Sequence, residues 1–232
     1  MDFISVTLQL LEGFGVTCLL FILTLIFSLP LGLLISFCTM SKFKPIKAVF
    51  KVFVWIIRGI PLMLQLFMIY YLPGILSNSS LSFWGNIDNT FYFNYGIDNV
   101  GCFIATLIAF VINYACYFSE IFRGGIESIS QGQYKAGKML GLTKYQIFSK
   151  IVLLQVIKRI VPPTANEIIT LVKDTALARV IGVIEIIKVA DIMSSKGLIW
   201  PLFYTGVFYL IFVGVLTLIF NQVEKRLDYF KS

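Results

Sequence analysis

The stretch RGGIESISQGQYKAGKMLGLTKYQIFSK at residues 123–150 is basic and polar, and long apolar stretches lie on both sides of it. It contains two capping boxes, each a hydroxyl residue followed three positions later by glutamine: Ser130 with Gln133, and Thr143 with Gln146. Gly141 lies between them, where a helix over 131–140 would end on a left-handed residue. A loop that only joined two membrane spans would need neither start signal. We therefore interpret 123–150 as two short helices that form a rigid docking piece on the membrane surface.

The composition is that of an integral membrane protein. Of the 232 residues, 58% are hydrophobic and only 13% are charged, which is far less charge than a soluble domain of this size carries. A helix needs about 20 apolar residues to cross the hydrocarbon core, and the chain offers five such stretches: 14–38, 52–76, 100–122, 160–190 and 199–223. The fourth is long and contains Pro162 and Pro163, so we interpret it as a broken span. The predicted fold class is an all-α membrane protein whose single domain covers 1–232.

The lysines and arginines indicate the orientation of the chain. Residues 1–41 and 59–122 contain neither, whereas four lysines follow the first span, seven basic residues lie within 123–159, and three close the chain. Cytoplasmic loops carry the excess of Lys and Arg, so these three basic groups face the cytoplasm. The N-terminus and the loop 77–99 then face outward, and the C-terminus is cytoplasmic. Five spans satisfy this parity, whereas six would put the basic tail outside.

Several classes of function are excluded by composition. The chain contains no histidine, which excludes Ser-His-Asp and Cys-His catalysis and removes the commonest metal ligand. The four cysteines lie in or at the edges of spans without paired spacing, so we interpret them as apolar packing residues. Residues 132–138 match the glycine and lysine spacing of a phosphate-binding loop, but Met139 replaces the Ser/Thr that would hold magnesium. The net charge of +7 is explained by the basic cytoplasmic segments, which face anionic lipid. We expect no enzymatic activity, metal, cofactor or nucleic-acid partner.

Polar residues at membrane depth are the candidates for function. In the second span Arg58 and Gln65 flank Pro61, which should kink the helix, and Gly59 allows a neighbour to approach closely. Two readings of Arg58 stay open: it extends to the cytoplasmic headgroups, or it lines an internal cavity.

A polar face and a charged triplet lie further along the chain. In the third span Asn113, Tyr117 and Glu120 are spaced by four and three, so they share one helix face. Glu120 either lines a hydrated surface there or pairs with Arg123 at the interface. Lys173-Asp174-Thr175 lies within an otherwise apolar stretch, where an ionisable residue costs at least about 2.5–3.5 kcal/mol unless it is paired or hydrated. Adjacent residues on a helix point about 100° apart, so Lys173 and Asp174 are poor partners for each other.

The combined pattern resembles the transmembrane permease subunit of a polar amino acid ABC importer. The residues that carry the resemblance run through most of the chain: 58–67 (RGIPLMLQLF), 120–125 (EIFRGG), 132–133, 136, 140–142, 162–163, 166–167 and 171–177 (LVKDTAL). The resemblance implies two copies of an ABC ATPase subunit, a second permease subunit that is identical or related, and an extracytoplasmic substrate-binding protein. It also implies alternating access and location in the bacterial cytoplasmic membrane.

The resemblance also assigns a role to the docking piece. In such permeases a Glu-Ala-Ala loop inserts two coupling helices into a groove of the ATPase, and this loop maps onto 135–154. The implied ATPase-coupling residues are Gln133, Lys135, Ala136, Gly137, Gly141 and Leu142. Three positions depart from the family pattern: Lys135 stands where glutamate is usual, Gly137 where alanine is usual, and Leu154 where proline is usual. Because Lys135 reverses a charge, we expect a matched acidic residue on the partner ATPase.

Charge complementarity suggests how an amino acid would be held. The candidate substrate-binding residues are Arg58, Gln65, Glu120, Lys173, Asp174 and Thr175. Asp174 and Glu120 would receive the ammonium group, and Arg58 or Lys173 the carboxylate. The alternatives are an ATP-independent secondary amino acid carrier and a membrane scaffold that does not transport. An internal repeat, which secondary carriers usually have, is not visible. The aromatic loop 77–99 is either an interfacial belt or a contact for the binding protein.

Overall fold

The computed structural model describes residues 2–76, 83–84 and 99–227, and the elements in these ranges are all helical. In chain order they are α1 (Phe3–Thr39), α2 (Lys44–Gly59), α3 (Leu62–Leu76), α4 (Val100–Glu127), α5 (Gln131–Met139), α6 (Lys144–Ile147), α7 (Leu153–Asp174), α8 (Ile186–Ser195) and α9 (Trp200–Leu227). A π-helical turn (Phe148–Val152) joins α6 to α7, and a 3₁₀ turn (Thr175–Ile181) follows α7. For the described residues, the predicted all-α class is confirmed.

Among the described helices, α1, α4 and α9 are each long and apolar enough to cross a membrane. The predicted first span, 14–38, lies inside α1, whose 37 residues correspond to about 55 Å of helix. The predicted second span, 52–76, consists of α2 and α3, which meet at an angle of 105°. Their junction is Ile60-Pro61, where the proline cannot supply a helical N–H. If α2 and α3 count as one bent span, the described residues contain four candidate spans.

The predicted fourth span, 160–190, is interrupted, but not at its prolines. Pro162 and Pro163 lie inside the continuous helix α7, on its exposed side. Prolines are tolerated within a membrane helix where the surroundings re-satisfy the freed carbonyls. The interruption comes after Asp174, where the backbone tightens into the 3₁₀ turn and then reverses at Gly182, which has φ of +100°. The helix therefore continues through the two prolines that suggested a break and ends at Asp174 instead.

The core forms where α1 packs along α4. Gly32 permits the closest approach, because a Cβ atom at this position would lie 2.9 Å from both the Ala115 carbonyl oxygen and the Phe118 Cβ. Phe110 and Phe118 of α4 are fully buried, together with Leu171 of α7. By contrast, α9 buries only Pro201 and Thr205. One side of it packs partly against the core through residues such as Phe212, and many of its other apolar side chains are exposed, as expected of a helix in contact with lipid.

The docking piece folds as two short helices that meet at a left-handed glycine. Gly141 has φ of +72°, and Thr143 and Gln146 form the complete capping box. The Gln146 amide donates to Thr143 Oγ1 at 3.3 Å, and the Thr143 amide donates to Gln146 Oε1 at 2.9 Å. Both predictions are confirmed. The predicted box at Ser130 was wrong: its side chain makes no cap bond, because the Gln133 amide donates to the Ser130 carbonyl oxygen instead.

A small apolar cluster fixes the docking piece to the ends of α4 and α7. It is formed by four buried residues: Ile129, Ile147, Val152 and Val156. Ile147 lies directly on Gly137, where a Cβ atom would be 2.7 Å from Ile147 Cγ1. Arg159 of α7 donates to the Ser128 carbonyl oxygen. The piece is therefore attached to the start of α7 by packing and by a hydrogen bond.

Candidate functional site

An open cavity of about 630 Å³ lies between the α2–α3 bend, α4 and α7. Its lining is mostly polar or charged at the sides and apolar at the bend, and comprises Arg58, Gly59, Ile60, Pro61, Leu62, Met63, Asn113, Tyr114, Tyr117, Glu167, Thr170, Asp174 and Leu177. The volume is in the range that encloses small molecules. Because each wall belongs to a different helix, the shape of the cavity depends on how those helices are packed together.

One cation and two carboxylates line this cavity. Arg58 lies at the end of α2, with its guanidinium carbon 5.0 Å from the centre of the Tyr117 ring, a cation–π arrangement. Asp174 lies at the end of α7 and accepts a hydrogen bond of 2.7 Å from the Tyr114 hydroxyl. Glu167 lies seven residues earlier on α7. The cavity thus offers groups of both signs, as the recognition of a zwitterion requires.

Glu120 lies beside the cavity, held by arginines. Arg123 donates to both of its carboxylate oxygens, from Nε at 3.1 Å and from Nη2 at 2.5 Å. Arg123 also donates to Glu127 at 2.7 Å. A longer ion pair of 3.8 Å joins Glu120 to Arg58. Of the two readings of Glu120 that the sequence left open, pairing with Arg123 is the one present, and through Arg58 this pair reaches the cavity wall.

Gln65 lies behind the cavity and holds the bend. Its amide nitrogen donates to the Ile57 carbonyl oxygen at 2.6 Å and to the Ile60 carbonyl oxygen at 2.8 Å. Its amide oxygen accepts from the Asn113 side chain at 3.2 Å. Pro61 and the end of α2 leave these carbonyls without helical partners, so Gln65 satisfies them and joins the bend to α4. Gln65 is 5% exposed and does not line the cavity.

The predicted Lys173-Asp174-Thr175 triplet divides into three environments. Only Asp174 lines the cavity. Lys173 is exposed on another side of α7, and Thr175 is fully buried and donates to the Val172 carbonyl oxygen at 2.6 Å. Sequence reasoning did not select Glu167 and Thr170 as site residues. Their spacing to Asp174, at i, i+3 and i+7, places all three on one helix face, and this signal was available.

The predicted ATPase-coupling residues lie on or under the surface of the docking piece. Gln133, Lys135, Ala136 and Gly141 are exposed, Leu142 is half-buried in the apolar cluster, and Gly137 is buried beneath Ile147. Large apolar side chains are exposed on the same piece, with Met139 at 88%, Leu140 at 76% and Tyr145 at 78%. Exposed large apolar side chains are a feature of surfaces that bind partners.

Most of the predicted aromatic loop, residues 77–82 and 85–98, lies outside the described residues. Trp84 is described: it is 5% exposed, and its indole nitrogen donates to the Ile69 carbonyl oxygen at 3.0 Å. Gly101 packs beneath it. Across residues 2–76, 83–84 and 99–227, no cluster of three or more Cys, Asp or Glu side chains could hold a metal ion.

Comparison with known proteins gives a consistent result over nearly the whole chain. Residues 28–229 match the family described as binding-protein-dependent transport system inner membrane component. The L-cystine transport system permease protein TcyB of Bacillus subtilis is 35% identical over 93% of this chain and 85% of its own length. The arginine transport system permease protein ArtQ of the same organism is 32% identical over 94% of this chain and 92% of its own.

Solved structures agree with this result. A crystal structure of an amino acid ABC transporter with histidines superposes with a TM-score of 0.77 at 28% identity, covering 97% of this chain and 99% of that one. The MetNI methionine ABC transporter, in an inward-facing conformation, shares the fold at 17% identity, with a TM-score of 0.63 over 98% of this chain and 100% of that one. The chain thus belongs to the family of binding-protein-dependent transport system inner membrane components.

Proposed function

We propose that this chain is the membrane-spanning subunit of an ATP-driven importer that takes up a polar amino acid delivered by an extracytoplasmic binding protein. The observation that carries the proposal is the cavity between the α2–α3 bend, α4 and α7, which presents one guanidinium and two carboxylates to a space of about 630 Å³. An amino acid has an ammonium and a carboxylate, so it needs both signs of charge. The relatives named for cystine and arginine support the substrate class.

In the proposed mechanism Arg58 receives the substrate carboxylate, and Asp174 receives the ammonium group. The Tyr114 hydroxyl orients Asp174, and the Tyr117 ring supports Arg58. Glu167 supplies a second carboxylate in the same cavity. A substrate with one carboxylate and two cationic groups would match all three charges, so the basic amino acids are the first to test.

The proposal includes a topology and partners. Five spans, with the N-terminus outside and the C-terminus in the cytoplasm of a bacterial cell, agree with the distribution of Lys and Arg, and one permease domain covers 1–232. Two ATPase subunits would carry out the hydrolysis of ATP. Each of them binds the docking piece of one permease, which in this chain is 123–150. A second permease, identical or related, completes the transporter. When the ATPases close, the docking pieces move and the spans rock from outward-open to inward-open.

The test is reconstitution in proteoliposomes of the chain with its ATPase and binding protein, followed by measurement of labelled arginine, lysine, glutamine and cystine uptake. We expect uptake that requires internal ATP and the binding protein, and that is largest for a basic amino acid. Uptake driven by an ion gradient in the absence of the ATPase would contradict the proposal and identify a secondary carrier. Mass spectrometry of the intact complex would distinguish identical from related permease subunits.

A further inference from the structure

The exposed side chains of α5, α6 and the turn between them form a surface that we call the coupling surface. Its members are Lys135, Lys138, Met139, Leu140, Lys144 and Tyr145. We propose that the coupling surface binds an acidic groove on the partner ATPase, and that this charge match selects the ATPase with which the chain assembles. The inference rests on the proposed function, in which an ATPase subunit is the partner.

The charged residues of the coupling surface all have the same sign. Between residues 128 and 166 the sequence contains no Asp or Glu, but it contains five lysines and one arginine. The lysines of α5 and α6, at 135, 138 and 144, are all exposed. Glu127, the acidic residue that precedes this range, is already bonded to Arg123 at 2.7 Å. The surface therefore presents positive charge that no carboxylate of its own segment offsets.

The coupling surface combines exposed apolar side chains with neighbouring lysines. Met139, Leu140 and Tyr145 are 88%, 76% and 78% exposed. Lys138 directly precedes Met139, and Lys144 directly precedes Tyr145. An apolar centre with a charged rim is the usual anatomy of a protein–protein interface. Groups at the rim act mainly through electrostatic complementarity, which controls the choice of partner and the association rate. A cationic rim requires an acidic groove.

Contacts within the docking piece hold the coupling surface in one shape. The capping box at Thr143, the left-handed Gly141 and the contact of Ile147 with Gly137 fix the two helices relative to each other. Anionic lipid attracts lysines on flexible and rigid segments alike. A fixed shape would therefore add little to binding at a lipid surface. A groove on a protein partner binds an already ordered surface more tightly, because less conformational freedom is lost on binding. The geometry thus favours a protein partner over the membrane surface.

The experiment measures assembly of the chain with the ATPase that co-purifies with it, in nanodiscs of neutral phosphatidylcholine. We expect the wild-type affinity to fall steeply between low and high salt, because rim charges are screened over about 8–10 Å at moderate ionic strength. Lys135→Glu should weaken assembly at least about tenfold at low salt, and the Lys135→Glu/Lys138→Glu double variant should weaken it further. Lys47→Glu, which changes an exposed lysine on α2, is the matched control and should assemble like the wild type.

Each other outcome overturns the inference. Salt-independent assembly, or Lys135→Glu assembling like the wild type, would mean that the groove is not acidic. Loss of the salt dependence in neutral nanodiscs, but not in nanodiscs with anionic lipid, would assign the lysines to the membrane. The proposed function fails separately: in this experiment it is contradicted if the wild-type chain binds no ATPase at any salt concentration. Circular dichroism of each variant would show that the fold is retained.

Discussion

The cavity and the coupling surface are built on opposite principles. In the cavity the defining hydrogen bonds join residues far apart in the sequence: Asn113 to Gln65 across 48 positions, and Tyr114 to Asp174 across 60. On the docking piece the defining bonds join residues three positions apart, as in the Thr143 capping box. In the proposed mechanism the cavity changes when its helices move relative to one another, whereas the docking piece moves without a change of shape. A transporter needs one region of each kind.

The two regions also differ in charge. The cavity combines Arg58 with Glu167 and Asp174, so it can hold a ligand that carries both signs. The charged residues of the coupling surface are all lysines. Substitutions that break one region without the other therefore measure how far substrate binding and partner binding are separate.

The largest effect is expected at Asp174. Replacement by asparagine removes the charge that receives the substrate ammonium but keeps the shape and the bond to Tyr114. Uptake at substrate concentrations below KM should fall at least about tenfold, since a hydrogen bond to a charged group is worth about 1.5–3 kcal/mol. Lys173→Gln, which changes the exposed neighbour, should transport like the wild type. Wild-type uptake by Asp174→Asn would make Asp174 a structural residue only.

The next effect is expected at Gln65, because three hydrogen bonds hold the bend there. Gln65→Leu keeps the volume but leaves the Ile57 and Ile60 carbonyls and the Asn113 amide without this partner. We expect a loss of about 1–3 kcal/mol in the free energy of unfolding, read from unfolding in detergent, together with weaker substrate binding. Asn113→Ala removes only one of the three bonds and should cost less. Equal losses for the two variants would show that the bend does not depend on the Gln65 amide nitrogen.

A smaller effect is expected at Gly137. Alanine favours a helix over glycine by about 1 kcal/mol, but its Cβ would lie 2.7 Å from Ile147 Cγ1. Because isoleucine is stiff at χ1 and overpacking costs about 1–3 kcal/mol, Gly137→Ala should destabilise the docking piece by about 1 kcal/mol. Hydrogen exchange of the α5 amides measures this. In an Ile147→Ala background, where this clash is absent, Gly137→Ala should instead increase protection relative to Ile147→Ala alone. A single variant Gly137→Ala that is more protected than the wild type would contradict this prediction.

The smallest effect is expected at the helix caps. Thr143→Ala removes a capping bond, which typically costs about 1 kcal/mol, and the loss should be confined to the first turn of α6. Faster exchange of the Gln146 amide is the measurement. Ser130→Ala is the matched control, since the Ser130 side chain makes no cap bond. If both variants exchange equally fast, the box at Thr143 contributes nothing.

How much could be predicted from the sequence follows from the range of the contacts involved. The docking piece was predictable because its signals, such as Gly141 and the Thr143 box, act within a few residues. The grouping of Arg58 and Asp174 was a charge-based hypothesis, and the structure places both on one cavity. Gln65 was selected for its polarity alone. That its partners would be the carbonyls of its own bend and Asn113 depends on the packing of α3 against α4, which local pattern cannot reveal.

At several positions the structure differs from what the local sequence pattern suggested. Pro162 and Pro163 suggested a break, yet α7 continues through them because local preference is overruled when the surroundings support the helix. Ser130 had the right spacing to Gln133, but a short backbone bond closed the turn instead. Glu167 carries no local signal of its own, but its spacing of seven to Asp174 indicates the helix face that both share.

The unbroken course of α7 has a mechanical consequence. Its 22 residues form a rod about 33 Å long, whose second turn is bonded to the docking piece through Arg159 and whose last turn carries Asp174. A rotation of the docking end by about 10° would displace the far end by about 6 Å over that length. This is about the distance across a small amino acid, so a modest tilt at the cytoplasmic face is geometrically sufficient to withdraw one wall from a bound substrate.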